Sequence, residues 1–468
     1  MKVLLINPPI ENIIRLELPL WVRQNEGVFP PLGLMYLASY LRKNLGCEVT
    51  ILDALAERMS YHKIDAYIRS LLPDVVGITA HTHNLIDIIT TTNIIKKINR
   101  KIHICLGGAH VNIFPEESIV LSSVDSVVAG EGEIIFTDLV RCLDENIDLK
   151  NVKGLIFKQN GHFINTGFRE SNSELDILPF PERRLLNLNK YYSILGAKSF
   201  MTTMISSRGC PYSCAFCSTP KGNYRSRSPR NVVNEMEECF NLGIRDIYFV
   251  DDTFNIVPDR VIEICDELKG RKLRIQWSFR ARIDKLSKEL LKKAKESGCY
   301  KIHLGVETST DDGLKRLKKG ITIEQIRQVF KWTREIGINT IAYFMIGCPH
   351  ERTRADILRT INFSKEIDPD FALFNILMPY PLTELYNTAL KNKIFKEDYW
   401  KKFALSPQKD FQSPFWEEWF SSKELITLLN LAYRRFYLRP KFLLRIITNP
   451  QNSLNFTKTF KAALEIIT

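Results

Sequence analysis

Residues 202–217 read TTMISSRGCPYSCAFC, a strand-forming run that breaks at Gly209 into a loop carrying Cys210, Cys214 and Cys217. The spacing is C-x3-C-x2-C. Three thiols on so short a loop suit either an iron–sulfur cluster or a zinc ion. A structural zinc wants a fourth cysteine or histidine close by, and His110, His303 and His350 are all distant in sequence. A four-iron cluster held by only three cysteines keeps one iron open to a substrate or cofactor, as redox catalysis at the cluster requires.

Outward from this loop, strands and helices alternate. On the carboxy-terminal side, residues 202–206, 246–250, 275–279, 301–305, 340–346 and 371–377 read as strands, with helical stretches such as 230–242 and 323–336 between them. Six βα units over roughly 175 residues predict a partial barrel whose active site lies at the carboxyl ends of its strands. On the amino-terminal side, residues 3–6, 49–52, 75–79, 103–106 and 127–129 read as strands separated by helices such as 33–45 and 85–98. That pattern predicts an open, doubly wound parallel sheet, with ligands outside the carboxyl ends of its strands. Those ends carry Asn7-Pro8-Pro9, residues 80–84, Gly107-Gly108-Ala109-His110 and Gly130-Glu131-Gly132-Glu133. Glycine there lets a flat ligand approach the backbone, and helix-opening amides receive polar groups. No G-x-G-x-x-G follows the first strand, which argues against a dinucleotide. The expected organisation is therefore a sheet domain over 1–150, a connector with a hairpin at 154–163 over 151–199, the barrel over 200–380 and a helical region over 381–468.

The chain has 468 residues, of which 45% are hydrophobic and 25% charged, the makeup of a globular protein and not of a disordered or fibrous one. No run approaches the roughly 18 apolar residues of a membrane span. The apolar start at 3–6 is cut by Asn7-Pro8-Pro9 and does not read as a signal peptide, so the expected compartment is the cytoplasm, where ten cysteines stay reduced. Cys47, Cys105, Cys142, Cys239, Cys265, Cys299 and Cys348 stand alone and read as small buried hydrophobes. The net charge of +12 is scattered through the chain and predicts no nucleic-acid partner. Residues 431–447 differ: Arg434, Arg435, Arg439, Lys441 and Arg445 alternate with Phe436, Tyr437, Leu438, Phe442 and Leu443, without an acid. Such a segment either rests on an anionic membrane as a peripheral contact or caps the barrel as a helix, the reading we favour.

The thiol loop, with the aromatic Phe216 before its third cysteine and six βα units after it, resembles the radical S-adenosylmethionine (SAM) superfamily. Asn7-Pro8-Pro9, Pro31-Leu32-Gly33-Leu34, Asp74-Val75-Val76-Gly77-Ile78, Leu106-Gly107-Gly108, Gly130-Glu131-Gly132-Glu133 and Leu178-Pro179-Phe180-Pro181 extend the resemblance to the cobalamin-binding class of that superfamily, over nearly the whole chain. This class includes methylases of unactivated carbon and the anaerobic magnesium-protoporphyrin monomethyl ester cyclase. The resemblance implies a flavodoxin-like first domain and a [4Fe-4S] cluster on Cys210, Cys214 and Cys217. It implies SAM at Phe216, Asp251, Asp252, Arg280, Arg282, Glu307 and Gly347. Cobalamin would lie between the two arrays, at Asn7, Pro8, Pro9, Thr79, Thr82, Gly107, Gly108, Glu131 and Gly132.

The implied reaction is reductive cleavage of SAM to a 5′-deoxyadenosyl radical, hydrogen abstraction from an unactivated carbon and methyl transfer from methylcobalamin. The substrate would be a small or lipid-like molecule, and an external donor such as flavodoxin or ferredoxin would supply the electron. A radical SAM cyclase or rearrangement enzyme, and a zinc-bearing binding module, stay open as alternatives. Arg280 and Glu307 also admit a plain ion pair at the barrel mouth. The D-x-H-x-x-G motif that supplies histidine to cobalt is absent; His81 and His83, on the loop after the third strand, either face the corrin or are polar loop residues without a metal role. Leu382 stands where the family usually has glycine, and leucine does not readily take positive φ.

Overall fold

Strand β1 (Lys2–Asn7) buries Val3, Leu4, Leu5 and Ile6 in succession, the mark of a strand covered on both faces. Its alternate residues feed two cores. Val3 and Leu5 pack with Leu34, Met35, Phe136 and Leu139 of helices Leu32–Leu45 and Gly132–Asp144. Leu4 and Ile6 pack with Ile64, Ile68, Ile88 and Ile95 of helices Tyr61–Leu71 and Leu85–Ile98. The computed structural model describes residues 1–14, 27–193, 196, 200–219, 222 and 224–448.

The chain forms two compact units. The first comprises the opening residues, Val28–Tyr191 and Asp398–Ser413; the second holds the described residues of Tyr192–Glu397 and those from Pro414 to 448. In the first, β2 (Glu48–Asp53), β3 (Val75–Thr79), β4 (His103–Gly107) and β5 (Ser126–Val128) join β1 in a parallel sheet of order β2-β1-β3-β4-β5. The order reverses between β1 and β3, and that switch point is where doubly wound sheets bind ligands. The hairpin expected in a connector belongs to this sheet: β6 (Leu155–Gln159) and β7 (His162–Asn165) extend it antiparallel from β5. Strand β5 has only three residues, and pairing with β6 satisfies its outer amides and carbonyls, which an edge would leave open.

In the second unit, β8 (Met201–Met204) is followed by a short ribbon of β9 (Ser207–Arg208) and β10 (Arg225–Ser226). Then β11 (Asp246–Phe249), β12 (Gln276–Ala281), β13 (Cys299–Glu307), β14 (Asn339–Ile346) and β15 (Phe371–Ile376) follow β8 side by side, all parallel, as a six-stranded partial barrel. Its last edge is closed by side chains. The Tyr433 hydroxyl donates to the Phe374 carbonyl at 3.0 Å and accepts from the Phe374 amide at 3.2 Å. Tyr437 treats Ala372 likewise, at 2.8 and 3.2 Å. Four residues of helix advance about 6 Å and two residues of strand about 6.7 Å, so tyrosines at i and i+4 match carbonyls at j and j+2.

Residues 431–447, as far as the side chain of Arg445, therefore cap the barrel edge. Phe436, Tyr437 and Phe442 are buried, and Arg439, Lys441 and Arg445 all converge on the Asp368 carboxylate at 2.8, 2.8 and 2.7 Å. Burial pushes that carboxyl upward, but the three cations outweigh it and hold it below its ordinary value. Among the described residues no helix is long and apolar enough to cross a membrane. Leu382 overturns the expectation for its turn: it adopts a φ of +67°. Pro381 precedes it, and the Thr383 amide closes the turn on the Tyr380 carbonyl at 3.2 Å. The exposed leucine meets no neighbour that forbids this, at a cost of about 1–2 kcal/mol.

Replacing Tyr437 by phenylalanine strands the buried amide and carbonyl of Ala372. Denaturant unfolding of Tyr437→Phe should show a loss of about 1–3 kcal/mol relative to the unmodified chain, while the exposed control Arg435→Gln stays within about 0.5 kcal/mol.

Candidate active site

Strand β8 hands the chain to Ser206 and Ser207, and both are held by Asp251 at the end of β11. Asp251 is fully buried. It accepts from the Ser206 amide at 3.1 Å to each oxygen, from the Ser206 hydroxyl at 2.8 Å, and from the Ser207 hydroxyl. Burial raises its pKa and these bonds pull it back. With both oxygens occupied, Asp251 does not line the cavity described next, which corrects its expected place beside SAM: it fixes the root of the thiol loop.

After a turn at Gly209, with φ of +83°, the half-buried Cys210, Cys214 and Cys217 face a cavity of about 310 Å³. The far end of the loop is pinned as well: the Ala215 amide donates to the Leu317 carbonyl and the Leu385 amide to the Ala215 carbonyl, both at 3.0 Å. Among the described residues no three His, Cys, Asp or Glu groups converge to hold a single ion. Three cysteines lining one cavity are a donor set that fits an iron–sulfur cluster.

The cavity wall carries Phe216, Asp252, Arg280, Arg282 and Glu307 among the residues expected from sequence, and adds Tyr212, Thr253, His303, Lys319 and Tyr343. Arg282 is nearly spent on the protein itself. Its Nη2 donates to the Lys319 carbonyl at 2.6 Å, its Nε to Asp284 at 2.9 Å, and its guanidinium lies 3.5 Å from the Tyr212 ring centroid. The remaining nitrogen, Nη1, is 3.9 Å from Cys214 Sγ. Burial pushes the Cys214 thiol up, while Lys319 and Arg282 draw it down. Glu307 sits at a φ of +69° and pairs with Lys319 at 2.6 Å. A Cβ at Gly305 would stand 2.4 Å from the Glu307 carboxylate, so glycine there makes room for the pair. Arg280 and Glu307 are not partners of one another; Arg280 donates from Nε to the Tyr248 hydroxyl at 2.8 Å. Asp252 reaches the cavity with its carboxyl raised by burial and by Asp251. Gly347 is absent from the wall: its φ is +74°, and a Cβ would meet Leu425 of helix Ser422–Tyr437 at 2.7 Å. It serves close packing under that helix.

Sequence reasoning missed His303, Lys319, Tyr248 and Tyr343. One signal was available for three of them. Strand residues alternate faces, and His303 shares its parity with Lys301 and Gly305, Tyr248 with Asp246, and Tyr343 with Met345; polar residues at inward positions of buried parallel strands face a lumen. Lys319 follows a helix and carried no such signal.

In the first unit the strand ends gather the other expected residues. Asn7 donates to Asp53 at 2.8 Å, and the Tyr191 hydroxyl donates to the same carboxylate at 2.8 Å; Pro8 and Pro9 are buried. Gly108 has a φ of +109°, and a Cβ there would stand 2.9 Å from the Ala80 carbonyl. Thr79, Gly107, Glu131 and Gly132 are half-buried. The Thr82 hydroxyl bonds His110 Nδ1 at 3.0 Å, and His110 Nε2, fully enclosed, has no partner. His81 and His83 stack with ring centroids 5.2 Å apart. Burial lowers all three imidazoles, His83 and His110 to about 4, so they are neutral donors or acceptors at neutral pH. An orphaned imidazole nitrogen within a glycine-bearing strand-end cradle fits a large polar cofactor.

Residues 204–364 match the model of the Radical SAM superfamily, and residues 21–140 that of the B12 binding domain. An uncharacterised methyltransferase of Pyrococcus horikoshii is 35% identical over 453 residues, covering 96% of this chain and 95% of the relative. The anaerobic magnesium-protoporphyrin IX monomethyl ester cyclase of Cereibacter sphaeroides is 28% identical over 425 residues, 88% of this chain and 68% of its own. The solved structure of OxsB, a cobalamin-dependent S-adenosylmethionine radical enzyme, shares the fold with a TM-score of 0.73 at 18% identity, over 100% of this chain and 72% of that one. The chain belongs to the cobalamin-binding radical SAM enzymes, with a [4Fe-4S] cluster, SAM and cobalamin as its cofactors.

Proposed function

We propose that the protein methylates an unactivated carbon of a small substrate, drawing its electron from a donor protein of the flavodoxin or ferredoxin kind. The observation that carries this reading is the thiol loop itself, three cysteines facing a cavity whose described wall holds no fourth cysteine. When bound, the cluster and SAM supply the 5′-deoxyadenosyl radical and cobalamin supplies the methyl carrier.

The chain's own residues do the positioning. Cys210, Cys214 and Cys217 hold the cluster, and Arg282 fixes Cys214 from the side with one N–H. Asp252 presents a carboxylate for the ammonium of SAM, and Phe216 and the Glu307–Lys319 pair form the wall beside it. Asp251 keeps the loop root in place without touching a ligand. In the first unit, Gly107, Gly108, Thr82 and His110 form the cradle for cobalamin. The kinship with a cyclase supports a second reading, in which the radical step occurs without methylation.

Anaerobically reconstituted protein should contain about four irons per chain, and Cys214→Ala should retain less than about one. Gly108→Val places a Cβ against the Ala80 carbonyl and should weaken cobalamin retention about tenfold or more, measured by cobalt content after gel filtration, with iron unchanged. Supplied with reductant, SAM and a substrate library, a methyltransferase releases 5′-deoxyadenosine and S-adenosylhomocysteine together. A cyclase releases 5′-deoxyadenosine alone.

A further inference from the structure

One layer of the barrel interior carries polar groups that the positioning roles proposed above leave unused, Arg280 among them, although the family resemblance would place it at SAM. Arg280 and His303 are register partners on β12 and β13, and both line the cavity. Arg280 spends Nε on Tyr248; among the described residues its two terminal nitrogens meet no acceptor. His303 is 8% exposed. The Tyr343 hydroxyl bonds its Nδ1 at 2.8 Å, its ring stacks on Tyr248 with centroids 4.8 Å apart, and its Nε2 has no partner. In the tautomer where the hydroxyl donates to Nδ1 the proton sits on Nε2, and each of the two donors is then oriented by a tyrosine. The charged groups facing His303 are both cations, Lys301 and Arg280, and with burial they keep the imidazole neutral. An apolar ligand would leave a guanidinium fork and an N–H without acceptors, and a cation would add repulsion. An oxyanion satisfies all of them, because a carboxylate or phosphoryl group takes the fork in bidentate fashion and still has a lone pair for the imidazole.

We propose that the barrel interior beneath the thiol loop binds a substrate through a carboxylate or phosphoryl group, held by Arg280 and His303. This deepens the methyltransferase reading and rests on it for the identity of the ligand as substrate. Arg280 lies two strand residues before Arg282, the residue that touches Cys214, a step of about 6.7 Å. The anionic group therefore anchors below, and the carbon to be attacked projects from it toward the loop. On this geometry an anionic group is selected over a neutral one.

The test uses full-length protein reconstituted with the cluster and saturated with SAM, so that the carboxylate of SAM is already housed. Inorganic phosphate is titrated against it and the thermal midpoint followed. Saturable stabilisation is expected for the unmodified chain, with the apparent affinity reduced about tenfold in Arg280→Gln and His303→Gln, and partly kept in Arg280→Lys. SAM affinity is measured in parallel by equilibrium dialysis. Phosphate affinity that is absent, or unchanged in the variants, overturns the proposal. So does a loss of SAM affinity in Arg280→Gln that matches the loss for phosphate, which would make the anion that of SAM itself. If Arg280→Gln does not fold, Tyr248→Phe removes only the hydroxyl orienting the guanidinium and gives the same comparison. Iron content and 5′-deoxyadenosine release, read on the same preparations, report separately on the enzyme reading, so failure of the anion site is not confused with failure of the chemistry.

Discussion

A buried carboxylate governs the chemistry end of this molecule. Taking Asp251 out of water is costly, and the cost is offset only because Ser206 and Ser207 supply an amide and two hydroxyls to it. Those bonds join the ends of two neighbouring parallel strands, β8 and β11, at the point where the thiol loop departs. The same turn is held from its other side: Arg260 donates to the Ser206 carbonyl at 2.8 Å and to the Arg227 carbonyl at 2.8 Å, and Arg227 forms a buried ion pair with Glu235. Breaking one member of such a network exposes the rest as uncompensated buried charge, typically about 3–5 kcal/mol. The loop thus starts from a rigid root and ends on the Leu317 and Leu385 backbones, so the three thiols are carried on a segment fixed at both ends.

Both sheets face a second constraint, that a parallel sheet must end somewhere and its last strand leaves backbone groups open. The two units answer it differently. The first adds an antiparallel hairpin, so β7 becomes the edge and its exposed residues His162 and Phe163 meet solvent. The second keeps β15 as its last strand and covers it with a helix whose tyrosines stand in for a seventh strand. That choice explains much of the basic, aromatic composition of 431–447: the aromatics bury and bond the edge, and Arg439, Lys441 and Arg445 return to Asp368, which ends helix Arg354–Ile367 in a left-handed conformation with φ of +49°.

Strand positions were legible because period and punctuation agree in both arrays; residues 75–79 and helix 323–336 appear as read. The three cysteines were legible by spacing alone. What sequence could not give was which polar groups are free. Asp251 and Asp252 are adjacent and chemically identical, yet one is consumed by serines and the other opens on the cavity, a difference set by which side of a strand end faces inward. Arg280 and Arg282 divide in the same way, and Gly347 carries the expected glycine for a packing reason. Six of the seven lone cysteines are buried as composition suggested, and Cys47 is half-buried. The hairpin was seen but misplaced, because an antiparallel addition to a parallel sheet leaves no local mark.

The barrel departs from the usual filling of such folds, where branched aliphatic side chains pack the interior. Here Tyr248, Arg280, His303 and Tyr343 occupy the inward layer, while the alternate residues Phe249, Phe279, Ile302, Leu304 and Phe344 are fully buried on the opposite face. The apolar free energy of the unit is thus gathered between sheet and helices, outside the barrel, and the lumen is released from that duty. Released positions then carry strain and polarity that a structural core would not tolerate: a buried glutamate at positive φ, costing about 1–3 kcal/mol, and an imidazole with an unanswered nitrogen. Each is kept by neighbours that over-determine it, Lys319 for Glu307 and the two tyrosines for His303. A site organised this way holds its donors fixed before a ligand arrives, so the ligand, and not the protein, meets the cost of alignment.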